Sequence, residues 1–155
     1  MLQDIAAAVV WVDFATIVLH KVFGFGKSLD KWYEHFGIVA LISDCLVIIL
    51  GILIAKMFLP QYPLLYSAVA IQIIHDLLFY QFVVIPTPRG HNQIIDLFKE
   101  YATENSWKIV VYDSLMIAST VLLSQYFAIL KSRNVSLYGL LGIYALTYIV
   151  YTKSS

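Results

Sequence analysis

The chain has 155 residues, of which 61% are hydrophobic and 13% charged, and its mean hydropathy is +0.80. Usage so far from that of a soluble domain reads as an integral membrane protein, with residues 1–155 forming one helical domain and no room for a soluble one. Ten basic residues balance ten acidic ones, so no basic surface for nucleic acid is present, and a single cysteine, Cys45, excludes an intrachain disulfide.

Five apolar stretches follow in order, at residues 5–22, 36–58, 64–85, 109–130 and 135–151. Each is close to the ~20 residues a helix needs to cross the hydrocarbon core. The sequence therefore predicts an all-α, polytopic transmembrane bundle of five spanning helices. The fifth stretch is the shortest and relies on Tyr and Thr, so four spans plus a packed tail is the alternative. A signal-peptide reading of the first stretch fails, because no basic residue precedes it and no small-residue cleavage site follows.

Two connections, 59–63 and 131–134, are tight, whereas 24–35 and 86–108 are long and fall on one side. In the second long loop Ile94, Ile95, Phe98, Tyr101 and Ala102 recur at helical spacing, opposite Asp96, Lys99, Glu100 and Glu104, which predicts an amphipathic interfacial helix. Asn92 suits its N-cap, Pro86 and Pro88 end the preceding span, and Gly90 allows the turn. Residues 28–36 repeat the theme with Trp32 and Tyr33. Both helices are expected on the same face, as headgroup anchors or as a lid. That face also carries Lys21, Lys27, Lys31, Arg89, Lys99, Lys108 and Lys153, against Lys56, Lys131 and Arg133 opposite. The positive-inside rule makes it cytoplasmic and the N-terminus exoplasmic.

The main functional clue is that Asp13, Asp44, Asp76 and Asp113 lie one in each of the first four stretches. A rise of 1.5 Å per residue places all four roughly 7–15 Å below the loop face. A charged group at the bilayer centre costs about 2.5–3.5 kcal/mol even on the lenient insertion scale, so such residues neutralise, pair or bind something. His75 belongs to the same layer, His20 sits nearer the surface, and His35 and His91 mark the boundary. These aspartates with His75 and His20 are the candidate ion- or proton-binding residues. Arg89, His91 and His35 are candidates for a lid or a headgroup contact.

Two polar stripes lead inward at helical spacing, Gln72 with Asp76 and Tyr80, and Asp113 with Thr120 and Ser124. Gln72, Tyr80, Thr120 and Ser124 are thus candidates to line a pathway, or else interhelical glue. Hard carboxylate oxygens suit protons and alkali or alkaline-earth cations, and an added imidazole extends the choice to zinc or iron. A metal cofactor would use Asp44, Asp76, Asp113 and His75. No HExxH, GxSxG, P-loop or potassium-filter motif is present.

The segments SLDKWYEHFG, LISDCLVIILGILIAK, IQIIHDLLFY and PTPRGHNQIIDLFKEYA, within residues 27–125, resemble small polytopic membrane proteins of large DNA viruses of algae and protists. The resemblance covers roughly two thirds of the chain. It implies a viral or virus-acquired membrane protein and assigns no activity.

Three classes remain open from the residues. The leading one is a small channel or transporter for protons or cations, completed by a homo-oligomer whose close contacts Gly51 with Ala55, or Gly139 with Gly142, would permit. The second is a membrane-embedded, metal-dependent enzyme acting on a lipid. The third is a structural subunit in which the polar layer only locks helix register.

Overall fold

The computed structural model describes residues 1–130 and 134–153. Among them every regular element is helical: α1 Leu2–Phe23, α2 Lys27–Phe36, α3 Ile38–Phe58, α4 Leu64–Phe79, α5 Gln93–Asn105, α6 Lys108–Leu130 and α7 Val135–Ile149. Lys131 and Arg133, which entered the charge comparison between the two faces, lie outside the described residues.

Four helices, Leu2–Phe23, Ile38–Phe58, Leu64–Val84 and Lys108–Leu130, are long and apolar enough to cross a membrane. They close into a ring in which α1 packs on α3 and α6, and α4 packs on the same two. α4 runs on through a π-helical turn, Tyr80–Val84, and stops at Pro86, which has no amide hydrogen to continue a helix. α7 has 15 residues, about 22 Å of helix against the ~30 Å of a hydrocarbon core. It therefore falls short of the expected span over residues 135–151, and it packs along α1.

The small-residue faces, which suit either a contact between copies or packing within one chain, are used inside the chain. A Cβ on Gly51 would stand 3.1 Å from the end of Ile117, so the bare backbone there lets α6 approach α3. A Cβ on Gly142 would lie 2.5 Å from Val10, and Gly139 faces Ala7 in the same way. Ala55 is fully buried. Both faces thus serve packing within one protomer, α3 against α6 and α7 against α1.

α2 and α5 lie over one end of the ring. α2 touches α3 and α5, while α5 touches α6 and the π-helical turn. Asn92 caps α5 as its sequence position predicts, its Oδ1 accepting from the amides of Ile94 at 2.9 Å and Ile95 at 3.2 Å. α2 has no such residue at its own start. Its first amides, Lys27 N–H and Ser28 N–H, instead donate to the Glu104 carboxylate of α5 at 2.8 and 2.9 Å. Lys31 adds an ion pair to Glu100 at 2.6 Å. A carboxylate at a helix N-terminus satisfies orphan donors and complements the helix dipole, so Glu104 caps α2 from another helix. Between α2 and α3, Gly37 turns the chain at φ +47, and Tyr151 packs so closely there that a Cβ would stand 2.8 Å from its hydroxyl.

Replacing Glu104 with Ala should leave the first amides of α2 without their acceptor and speed hydrogen exchange in α2 several-fold, with the spanning helices unaffected. The amides of Ser28 and Lys27 hold the Glu104 carboxyl below the ordinary glutamate value of 4.5. A lowered folded value means the clasp contributes fully above that pH and is lost as pH falls through the lowered value. Acidification should therefore weaken α2 protection in the wild type and leave Glu104→Ala unchanged.

Candidate functional site

Beneath α2 and α5 the ring borders a partly open cavity of about 950 Å³. Asp44 on α3, Asp76 on α4 and Asp113 on α6 all open onto it. Three different helices thus deliver a carboxyl to one common space. Among the described residues, no lysine or arginine lines the cavity.

Each carboxyl meets a different environment. The indole N–H of Trp32 donates to both Asp44 oxygens, at 3.2 and 3.1 Å, and the Tyr33 hydroxyl donates to Oδ2 at 3.4 Å. Both donors descend from α2 and are buried, 5% and 3% exposed. Burial and the charges of Asp44 and Asp13 push the Tyr33 hydroxyl above the ordinary tyrosine range, so it remains a donor. Asp76 Oδ1 accepts from Gln72 Nε2 at 2.8 Å and lies 3.1 Å from His75 Nδ1. Asp76 Oδ2 and Gln72 Oε1 are buried with no partner. Asp113 forms no hydrogen bond to a described residue, although it is close enough to sense the charges of Asp76, Asp44 and His75.

Aromatic rings cover the polar end. Trp32 and Phe98 have ring centroids 5.2 Å apart, Phe98 and Phe79 5.9 Å, and Phe79 stacks on His75 at 5.7 Å. Tyr101 of α5 also lines the cavity. Its hydroxyl is pushed up by burial first and then by Asp113 and Asp44, so it too stays protonated.

Several candidate residues stand elsewhere. Asp13 is completely buried behind the cavity wall, 3.9 Å from the Cys45 thiol, because its face of α1 turns into the core. It senses Asp44 without sharing the cavity. His20 is committed locally. Its Nδ1 accepts the Phe25 amide at 3.1 Å, so Nε2 carries the proton and faces Asp30 at 2.9 Å. Thr120 and Ser124 lie below the floor, their hydroxyls bonded to the carbonyls of Met116 and Val121 in their own helix. Ile117, three residues before Thr120, is seated against Gly51. Gln72 and Tyr80 do line the cavity. Arg89, His91 and His35 are exposed and away from its wall.

The metal set expected from the sequence does not assemble. Among the described residues no three His, Cys, Asp or Glu side chains come together to hold a metal ion. Asp44, Asp76 and Asp113 belong to separate walls of a wide space, and His75 is turned against Phe79. No family model, curated protein or solved structure matches this chain. The site must be interpreted from its own chemistry.

The aromatic donors to Asp44 were not apparent as such in the sequence, where Trp32 and Tyr33 read as membrane-surface anchors. The available signal was their position on the apolar face of a short amphipathic helix, three and four residues after Leu29. Trp32→Phe keeps a ring but removes the N–H shared by both Asp44 oxygens. It should lower stability in detergent by about 1–3 kcal/mol. A double-mutant cycle with Asp44→Asn, read by thermal unfolding, should show coupling of at least about 0.5 kcal/mol; additive effects would mean the contact contributes nothing.

Proposed function

We propose that this is an integral membrane protein that takes up and moves a proton or other cation through the carboxylate-lined cavity, acting as a transporter. The observation that supports this most is that Asp44, Asp76 and Asp113 face one cavity on whose wall, among the described residues, no lysine or arginine stands. Without a fixed basic partner, each carboxyl is neutralised by a proton, by the His75 imidazole beside Asp76, or by a cation from outside.

The cavity is a dead end within one protomer. Below it Ile52, Ile117 and Val121 are fully buried and fill the space between helices. This favours a site loaded from one side and emptied by a change of shape over an open pore. On this reading α2 and α5 lie in the headgroup region of the cytoplasmic leaflet, the N-terminus is exoplasmic, and α7 is a short fifth membrane-embedded helix braced by α1. Any homo-oligomer would use surfaces other than the two glycine faces, which are occupied within the chain. Among the described residues no donor set converges to support the metal-dependent lipid enzyme, and the structural lock is decided by experiment.

Reconstituted in liposomes, the wild type should dissipate an imposed proton or sodium gradient faster than protein-free vesicles. Asp76→Asn and Asp113→Asn should each reduce that rate at least tenfold while retaining the wild-type unfolding temperature. A wild-type rate equal to that of empty liposomes, or rates unchanged in both variants, overturns the proposal. Loss of stability in every aspartate variant with no wild-type flux would indicate the structural lock.

A further inference from the structure

The cavity is far larger than a bare ion needs. At about 950 Å³ it falls at the upper end of the range for pockets that hold organic ligands, roughly 300–1,000 Å³. Its wall is mostly apolar, with Val12, Val47, Ile48, Val110 and Met116, interrupted by the neutral hydroxyls of Thr16, Ser43 and Ser119. A hydrated metal ion or a proton has no use for such a wall.

The wall also reaches the outside of the bundle. Leu19, Leu77 and Leu115 line the cavity and are nevertheless 47%, 58% and 60% exposed. They belong to α1, α4 and α6, three of the helices long and apolar enough to cross a membrane. The cavity is thus open at apolar helix flanks as well as being covered by α2 and α5.

The polar end selects a cationic head. Asp113 forms no hydrogen bond to a described residue, and Asp76 Oδ2 and Gln72 Oε1 are buried acceptors with no partner among the described residues. Gln72 is 2% exposed and borders the cavity. The Asp113 carboxylate borders the cavity and accepts hydrogen bonds that an ammonium with several N–H donors would satisfy, while Asp76 Oδ2 and Gln72 Oε1 are acceptors just behind the wall. The Trp32, Phe98 and Phe79 rings beside them offer π faces, a recurring partner of ammonium groups. The absence of lysine and arginine from the wall argues against a phosphate, whose charge the three carboxyls would repel.

We propose that the ligand of this cavity is an amphiphilic amine, an ammonium head on a long apolar chain without a phosphate, entering from the lipid between the spanning helices. The inference rests on the reading of the cavity as a cation site and names the substrate class. The head lies among Asp44, Asp76 and Asp113 beneath the aromatic cover, and the chain occupies the aliphatic part beside Leu19 and Leu115.

The test is equilibrium dialysis of labelled tetradecylamine against nanodiscs containing the full chain, with protein-free nanodiscs of equal lipid content as the reference. Methylammonium supplies the head alone, tetradecanol the tail alone, and lysophosphatidylethanolamine an amine carrying a phosphate. Tetradecylamine should bind the wild type at least tenfold more tightly than any of the three, and Asp113→Asn and Asp76→Asn should each weaken it at least tenfold. The wild-type comparison stands even if a variant fails to fold. Methylammonium binding as tightly as tetradecylamine would overturn the amphiphile and leave the cation site in place. Tetradecanol binding as tightly would show that charge plays no part in holding the amphiphile and would overturn the inference, with the cation reading left to the liposome flux. Equal binding of the lysophospholipid would remove the exclusion of phosphate. No saturable binding of tetradecylamine would end the inference, with the liposome flux deciding the cation reading separately.

Discussion

Carboxylates placed in an apolar helix bundle without matching basic side chains are the constraint on which this structure turns. Water would solvate such groups, and a hydrocarbon surrounding does not. The chain meets the constraint by giving the carboxyls a common space and by supplying neutral donors of its own, the Trp32 indole, the Tyr33 hydroxyl and the Gln72 amide. Neutral donors stabilise a carboxylate partially without cancelling its charge, so the cavity retains an appetite for positive charge. A lysine in place of any of them would have formed an internal ion pair and removed it.

The cover follows from the same requirement. α2 is short and strongly two-faced, and a helix of 10 residues has little stability by itself. It is held by contacts made far along the chain, Glu104 at its N-terminal amides and Glu100 at Lys31. Its buried face then reaches Asp44. The carboxylate and the cover are thereby coupled: whatever alters the hydrogen bonding of Asp44 alters the seating of α2, and a ligand competing for those donors would act on the cover directly.

Much of this was legible in the sequence because helical rise is regular. Counting residues from the ends of apolar stretches was enough to place Asp44, Asp76 and Asp113 at one depth, and the caps at Asn92 and Pro86 followed from local chemistry. Rotation about the helix axis was not legible with the same certainty. Asp13 shares the depth of the others, yet its side of α1 meets Cys45 in the core. Thr120 and Ser124 share the face of Asp113, but whether that face meets a cavity or a packed floor depends on Gly51 admitting Ile117, a contact between distant segments. The small-residue faces suited either another copy or a neighbour in the same chain, and spacing alone does not choose between them; Gly51 and Gly142 accommodate Ile117 and Val10.

The corner between α2 and α3 leaves a mark on how the protein is made. Gly37 bends the chain there, and the residue packed against the bend is Tyr151, beyond the end of α7. Lys21, at the end of α1, also donates to the carbonyl of Thr152. During synthesis α1, α2 and α3 leave the ribosome long before these partners exist. The corner between α2 and α3 therefore gains its packing partner only after Tyr151, more than a hundred residues further on, has been made.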